Sequence, residues 1–372
     1  MTIAIDASRA VNESAGIGRY TKEIVQHLLE IDQKNRYILI FSYFRKSPQK
    51  EKIIAGFKKP NVTIKTLKIP GGLKEKLWRI KMPFYEKFIG RSDVFFAPSF
   101  FEINAGLKIP QVVTIHDLTT FIYPEHRGIE VSKRLSTCAK EAAKLSQKII
   151  TMSRATAADA QKYLNIKEKK IDVVYPGLSD LGKPNNLAKN LKPSSFILYV
   201  GTIEPRKNLI GLFKAYSLLP LVLQEKYPLV VVGAQGWNTG ESYDAFNALK
   251  LEGKVKFLGF ISDASLAKLY ESCAVFVYPS LYEGFGLPVL EALSFGAPVV
   301  TSNISSLPEV AGDAAVLINP EDPKEICAGI QKLLEHNHEA MDIRQKGKIQ
   351  SRKFTWEKAA RETLKVLKEA AI

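Results

Sequence analysis

The sequence predicts an α/β protein of two Rossmann-like, doubly wound parallel-sheet domains, and three observations carry that prediction. Short apolar, β-rich runs recur along the chain, separated by segments of helical periodicity, the alternation that a parallel sheet requires. Several runs are apolar throughout, Leu229 to Val232 and Ala274 to Tyr278 among them, as strands covered on both faces must be. The chain has 372 residues, 46% of them apolar and 24% charged, which is long for one core and ordinary for two.

In the first half, Ile3-Ala4-Ile5-Asp6 reads as a strand and Gly18 to Leu29 as a helix with Ile24, Val25, Leu28 and Leu29 on one side. The loop between them carries Gly16 and Gly18. A dinucleotide-binding turn would need Gly-x-Gly-x-x-Gly here, but the loop is longer and its third position is Thr21, which argues against a nicotinamide cofactor. Tyr37 to Phe41, Val62 to Ile64, Val94 to Phe96 and Gln111 to Ile115 are the next strands. His116-Asp117 stands at the carboxyl end of the last of these, where open α/β sheets place their ligands, so His116 is a site candidate. His126 has no comparable support. Arg134 to Ser146 reads as a helix, Lys148 to Thr151 as a strand, Ser153 to Tyr163 as a helix capped by Ser153, and Ile171 to Tyr175 as the closing strand. Pro176 to Ser195, rich in Pro, Gly, Asn and Lys, reads as a linker. The domains expected are therefore 1–178 and 196–355, with 179–195 between them and a terminal helical segment, 356–372.

The second half opens with the strand Phe196 to Val200 and continues Gly201-Thr202-Ile203-Glu204-Pro205-Arg206-Lys207-Asn208-Leu209. Two adjacent cations at the entry to a helix form a phosphate-binding arrangement, with fork geometry from Arg206 and a point charge from Lys207. Ordinary surface charge is the alternative. Leu229 to Val232 and Val255 to Phe260 are strands and Leu266 to Ser272 a helix; Pro298 to Thr301 and Ala315 to Ile318 are later strands, and Leu307 to Val310 begins a short element. Ile326 to Leu334 and Arg361 to Ala371 are amphipathic helices, and His336 and His338 bracket Asn337 in a polar loop without a third metal ligand nearby.

The stretch that organises the chain is Pro279-Ser280-Leu281-Tyr282-Glu283-Gly284-Phe285-Gly286-Leu287-Pro288-Val289-Leu290-Glu291. The strand Ala274 to Tyr278 precedes it and a helix from Pro288 to Ser294 follows, with Pro288 tolerated in the first turn. Strand, glycine loop and helix N-terminus together aim unpaired backbone N–H groups at one spot, which suits a ligand rich in hydroxyls or phosphate. Glu283 lies in the loop and Glu291 on the first turns of the helix, so both carboxylates can face that ligand. Taken singly, Glu283 also reads as a solvated loop charge, and Glu291 as a favourable residue near a helix N-terminus.

The net charge is +15 and unevenly spread. Residues 43–91 hold fourteen Lys and Arg against three acids, and Leu77 to Tyr85 interleaves aromatics with bases. Such a face suits anionic lipid headgroups or a phosphate-bearing acceptor; a solvated face is the plain alternative. No zinc-finger, RNP or KH pattern accompanies it, so nucleic acid is not expected as a partner. Cys138, Cys273 and Cys327 are scattered without pair spacing and suggest buried thiols. An acidic residue comes at Asp6 and no apolar run approaches the roughly 18 residues of a membrane span, so a cytoplasmic protein is expected.

Glu, seven intervening residues and Glu, with Gly-Phe-Gly-Leu-Pro inside and Pro-Ser before, resembles the signature of the retaining glycosyltransferases of the GT-B fold, family 4 (glycosyl transferases group 1). The resemblance runs through most of the chain. It implies two such domains facing a central cleft, the first for the acceptor and the second for a nucleotide-sugar, with the terminal helix crossing back to the first. It implies that Glu283 contacts the transferred sugar or stabilises charge at its reacting carbon, and that the amides of Gly284, Phe285, Gly286 and Leu287 hold the donor. It implies that Glu291 binds the ribose, that Gly259, Phe260 and Ile261 meet the base, and that His116, oriented by Asp117, touches the sugar. The side chain of Phe260 reads equally as core or base stack. Gly16 matches the family's close approach to the diphosphate, although the preceding family glycine is Ala15 here. Many members carry arginine directly after the glycine where this chain has Thr202, leaving Arg206 and Lys207 to hold the leaving group, with Glu204 fixing Arg206.

There is no Asp-x-Asp in the sequence, and the resemblance likewise implies transfer without a metal ion or other cofactor. The Ile-Asp-Ala-Ser-Arg opening, Gly-Ile-Gly-Arg-Tyr-Thr, Thr-Ile-His-Asp-Leu and Gly-Thr-Ile-Glu-Pro-Arg-Lys-Asn look most like bacterial mannosyltransferases of O-antigen and related polysaccharide assembly. That implies GDP-mannose as donor, a lipid-linked oligosaccharide acceptor, and the basic face 43–91 at the inner membrane surface. A UDP-sugar transferase of the same family, a GT-B epimerase and a non-catalytic sugar-nucleotide-binding partner are the alternatives.

Overall fold

The structure, a computed structural model, describes residues 1–13, 16–69, 74, 84–184 and 191–372. Ala15 and the greater part of the aromatic-basic stretch, residues 77–83, lie outside the described residues. The chain divides into two compact units. The first comprises Met1–Leu118, Lys133–Gly177 and Thr355–Ile372, and the second Thr119–Ser132 and Leu178–Phe354.

Seven strands form the sheet of the first unit: β1 Thr2–Asp6, β2 Arg36–Ser42, β3 Val62–Leu67, β4 Val94–Ala97, β5 Gln111–Ile115, β6 Lys148–Thr151 and β7 Ile171–Val173. Their order is β3-β2-β1-β4-β5-β6-β7, and every pairing is parallel. The second unit holds β8 Ile197–Val200, β9 Leu229–Val232, β10 Val255–Gly259, β11 Val275–Tyr278, β12 Val299–Ser302 and β13 Val316–Ile318, in the parallel order β10-β9-β8-β11-β12-β13. β4, β5, β8, β9, β11 and β12 are buried at every position, and β4, β8, β9 and β11 accordingly read as unbroken apolar runs. The strand order reverses direction between β1 and β4 in one sheet and between β8 and β11 in the other. Crevices for ligands open at such points, outside the carboxyl ends of the strands.

The helix Ile17–Ile31 buries Ile24, Val25, Leu28 and Leu29. The terminal helix, Trp356–Ala370, packs in the same unit; the Trp356 ring meets Tyr20 at 5.8 Å and His27 at 6.4 Å between centroids. Several helices begin earlier than their first apolar repeat. Ser262, Asp322 and Thr355 each accept a backbone N–H at an N-cap, and the helices then run Asp263–Ser272, Pro323–Glu335 and Trp356–Ala370. Capping chemistry set these starts, one polar turn ahead of the buried stripe.

The polar loop expected around His336 and His338 is not present. His336 caps a 15-residue helix, Asn337–Ser351, that contains His338. This helix buries only a thin line, Ala340, Ile343, Gly347, Gln350 and Ser351, in which Ile343 is the one large apolar residue, so its amphipathic signal is weak and the surrounding charges conceal it. Both histidines are exposed, and among the described residues no three His, Cys, Asp or Glu side chains are grouped so as to hold a metal ion. Cys138, Cys273 and Cys327 are buried, and no disulfide joins them to one another. No helix among the described residues is long and apolar enough to cross a membrane.

Removing the Trp356 indole, 4% exposed, takes away the anchor between the terminal helix and Ile17–Ile31. Trp356→Ala is expected to destabilise the first unit by about 3–5 kcal/mol, read as a fall in the unfolding midpoint measured by circular dichroism in urea.

Candidate functional site

β8 ends at Val200, and the chain then runs through Glu204 into the short turn Pro205–Lys207. Asn208, at φ 57°, caps the helix Leu209–Leu218 by accepting from the Gly211 amide. Its side-chain amide donates to the Pro279 carbonyl at 3.1 Å and the Pro320 carbonyl at 2.7 Å. The Leu281 amide donates to the Arg206 carbonyl at 2.9 Å. The loop after β8 is thereby tied to the loop after β11, across the point where the strand order reverses.

Four charged side chains converge there. Arg206 Nη1 donates to Glu283 Oε2 at 2.7 Å and to the Tyr282 carbonyl at 2.8 Å, while Nη2 donates to Glu204 Oε1 at 2.5 Å. Lys207 Nζ donates to Glu283 Oε1 at 2.6 Å and to the Tyr278 hydroxyl at 2.5 Å. The Tyr278 and Ser280 hydroxyls also donate to Glu283 Oε1, at 2.9 and 2.7 Å. All four charged side chains are largely buried. Burial alone would favour the neutral acid of Glu283, but Arg206 and Lys207 overcome it and bring the carboxyl down to about 2. Burial and the neighbouring Arg206 push Lys207 below its usual range, against the attraction of Glu283. Two polar atoms in this region are buried without a hydrogen-bond partner among the described residues, the Tyr199 hydroxyl and Glu204 Oε2.

A serine cradle shapes the loop beyond Glu283. Ser305 and Ser306 donate to the Glu283 carbonyl at 2.6 and 2.9 Å, Ser306 also to the Phe285 carbonyl at 2.8 Å, and Ser302 to the Ser280 carbonyl at 2.7 Å. Gly286, at φ 110°, begins the helix Leu287–Ser294. A Cβ there would lie 2.6 Å from Leu307 Cδ2, so this turn excludes larger residues. The Phe285 ring is core, edge-on to Phe354 at 5.5 Å, and leaves the backbone as the polar part of that residue. Glu291 is buried and accepts from the Tyr270 hydroxyl at 3.0 Å.

The structure thus brings Glu204, Arg206, Lys207 and Glu283 into one cluster, with Gly284, Phe285, Gly286 and Leu287 continuing from it. Tyr278, Ser280, Ser302, Ser305 and Ser306 belong to its framework and were missed by sequence reasoning. The available signal was hydroxyl residues at the carboxyl ends of two apolar strands. Gly259 has φ 65° at the end of β10, and Phe260 beside it is 78% exposed, which decides against a core role for that ring. His116 and Gly16 belong to the first unit. His116 Nε2 contacts the Pro98 carbonyl at 2.7 Å and its ring stands edge-on to Tyr20. Burial brings the His116 imidazole down to about 4, and the contacts with Pro98 and Asp117 only partly offset it, so it is neutral at pH 7. Thr119–Ser132 packs within the second unit, where Asn238 donates to the His126 carbonyl at 3.0 Å and the Arg127 guanidinium lies 4.3 Å from the Trp237 ring centroid.

Two parallel-sheet α/β units of this kind define the GT-B architecture of glycosyltransferases. A solved structure of Anabaena Alr3699/HepE in complex with UDP-glucose superposes with a TM-score of 0.73 over 99% of each chain, at 18% identity. In sequence, the family described as Glycosyltransferase Family 4 matches residues 14–180, and Glycosyl transferases group 1 matches residues 183–350. O-antigen chain mannosyltransferase B of Escherichia coli is 30% identical over 374 residues, covering 95% of this chain and 96% of the relative. O-antigen chain mannosyltransferase RfbU of Salmonella typhimurium is 30% identical over 223 residues, 60% of each chain. The chain belongs to the group 1, family 4 glycosyltransferases.

Because the Glu283 carboxyl is held below its ordinary value of 4.5, the ionised cluster stabilises the second unit above that pH and loses this contribution as pH falls through about 2. The difference corresponds to roughly 3 kcal/mol. Glu283→Gln is expected to be less stable than the parent chain by about that amount at pH 7, with the gap closing towards pH 2 in urea unfolding. A gap that stays constant from pH 7 to 2 would contradict the ionic account.

Proposed function

We propose that this glycosyltransferase moves mannose from GDP-mannose, with retention of anomeric configuration and without a divalent ion, to a lipid-linked oligosaccharide in cell-surface polysaccharide synthesis. The observation that carries the reading is the buried Arg206–Glu283–Lys207 cluster where the strand order of the second sheet reverses. The names of the two O-antigen mannosyltransferases to which the chain is similar support the sugar and the pathway class.

In this reading Arg206 and Lys207 receive the diphosphate as it departs. An ammonium has three donors; two of those on Lys207 reach Glu283 and Tyr278, and the third serves the phosphate. Charge fixed in advance where the leaving group develops its own charge lowers the barrier without reorganisation during the reaction. The amides of Gly284 to Leu287 bind the sugar and phosphate oxygens, and Gly16 approaches the diphosphate through its backbone.

Glu283, ionised throughout the physiological range, works as a negative charge. It supports the positive charge that grows at the anomeric carbon as the bond to the diphosphate breaks. With no second carboxylate assigned as acid, departure and attack on the same face of the sugar account for retention better than double displacement. Glu291, oriented by Tyr270, binds the ribose, and Gly259, Phe260 and Ile261 meet the base. Neutral His116 donates or accepts a hydrogen bond at the sugar. Residues 1–178 form the acceptor domain and 196–355 the donor domain, joined by 179–195, and the basic face 43–91 rests on the anionic cytoplasmic side of the inner membrane.

Calorimetric titration with GDP, UDP and ADP in the absence of divalent metal tests this reading. GDP is expected to bind most tightly, and Lys207→Ala to weaken it by about thirtyfold or more. Preference for UDP would replace the donor and keep the enzyme class; absence of nucleotide binding would overturn the assignment of the cluster.

A further inference from the structure

Two buried tyrosines stand side by side near the carboxyl ends of β8 and β11, and their hydroxyls are in opposite situations. The Tyr199 and Tyr278 rings stack at 6.3 Å between centroids, and the Phe276 ring lies 6.0 Å from Tyr278 on the same strand. Both tyrosines are fully buried. The Tyr199 hydroxyl has no hydrogen-bond partner among the described residues. The Tyr278 hydroxyl donates to Glu283 Oε1 at 2.9 Å and accepts from Lys207 Nζ at 2.5 Å.

The mounting of Tyr278 differs from that of the charges it meets. Lys207 closes a short turn and Glu283 lies in a loop, whereas Tyr278 ends β11 and pairs in register with Thr301 of β12. The Thr301 hydroxyl donates to the Tyr278 carbonyl at 2.9 Å. A side chain carried on a packed sheet is held more closely than one on a loop. The Lys207 ammonium has three tetrahedral donors. A bond to Glu283 Oε1 alone, at 2.6 Å, would let the ammonium turn about that bond. The second bond, to Tyr278, stops the rotation and so sets where the third N–H points.

The same contact bears on the charge of Lys207. Burial and Arg206 act against the ammonium, while Glu283 and Glu204 support it. Tyr278 adds an acceptor lone pair and the face of its ring, whose centroid lies 5.0 Å from Nζ. Burial and Glu283 push the Tyr278 hydroxyl itself well above its ordinary value, so it stays neutral and serves as a hydrogen-bond bridge, not as a proton source. Tyr199, stacked behind it, is raised in the same way by burial and by Glu204.

We propose that Tyr278 is a positioning residue, whose hydroxyl aims the remaining Lys207 N–H at the departing diphosphate and keeps Lys207 in its ammonium form. The proposal rests on the reading of Arg206 and Lys207 as the diphosphate seat, and it adds the residue that sets the upper pH limit of that seat. Tyr199 supplies the ring of the stack without this role.

The test compares Tyr278→Phe with Tyr199→Phe in the full chain, by calorimetry with GDP from about pH 6 to about pH 10. Phenylalanine keeps either ring in the stack, and any titration of the nucleotide is common to all the proteins. Tyr278→Phe is expected to weaken GDP about fivefold at neutral pH and to bring the alkaline fall in affinity down by about one pH unit. Tyr199→Phe is expected to change neither. Added to Lys207→Ala, Tyr278→Phe is expected to cost less than about twofold more. Equal losses from the two tyrosine variants, a Tyr278→Phe loss that does not vary with pH, or its full effect in the Lys207→Ala background would overturn the proposal. An independent readout is the nuclear magnetic resonance titration of Lys207 in the nucleotide-free chain carrying ε-carbon-labelled lysine, with the signal assigned by its absence from Lys207→Ala. Tyr278→Phe is expected to move that titration to lower pH. If GDP fails to bind the parent chain while the Lys207 titration moves as expected, the positioning of Lys207 stands and the diphosphate reading falls. If GDP binds and the titration does not move, the diphosphate reading stands and the role of Tyr278 falls.

Discussion

Two cations held next to each other in a buried loop repel one another, and Glu283 is what makes their placement possible. Its two oxygens take hydrogen bonds from Arg206, Lys207, Tyr278 and Ser280. Without it, Lys207 would have burial and Arg206 both acting against its charge. Desolvation offsets much of a buried ion pair's attraction, and the roughly 3 kcal/mol by which the ionised Glu283 favours the fold is what remains after it. Its further value is positional. The carboxylate fixes both cations beside the loop that leads to the helix N-terminus at Gly286, and in the proposed function they act on the diphosphate as a preset charge rather than as mobile surface side chains. The rest of the second unit serves this arrangement: Asn208 ties the two loops together, and Ser302, Ser305 and Ser306 hold the backbone that carries Glu283.

Both units repeat one physical solution. Parallel strands buried on two faces leave polar groups only at their ends, and the strand-order reversal separates two loops enough to leave a crevice. In the second unit the crevice holds a nearly neutralised cluster with spare donors. The corresponding place in the first unit holds two ion pairs, Asp6 with Lys74 and Arg9 with Glu102. The same topology thus carries chemically different clusters at its strand ends.

Much of this was legible in the sequence because buried parallel strands announce themselves. Leu229 to Val232 and Val275 to Tyr278 could not be surface segments, and the loops following them were the natural positions for Glu283 and, through β8, for Arg206 and Lys207. The spacing of Glu283 and Glu291 around a glycine loop carried the family resemblance. What stayed hidden depended on tertiary partners. Tyr278 reads as one more apolar strand residue, yet its hydroxyl bridges Lys207 and Glu283. Ser302, Ser305 and Ser306 read as ordinary turn residues. The helix Asn337–Ser351 hides its small buried face behind charges, and Thr119–Ser132 lies between two strands of the first sheet in sequence while packing within the second unit. No local pattern encodes such a choice.

The central claim is that the Arg206–Glu283–Lys207 cluster is a seat for the diphosphate of the donor. A crystal structure of the chain with GDP bound tests it most directly. The account predicts both phosphates within hydrogen-bond reach of Arg206 and Lys207, with the amides of Gly284 to Leu287 facing the same ligand. Phosphates seated elsewhere, with the cluster unchanged and its donors still turned only to Glu204, Tyr278, Tyr282 and Glu283, would contradict it.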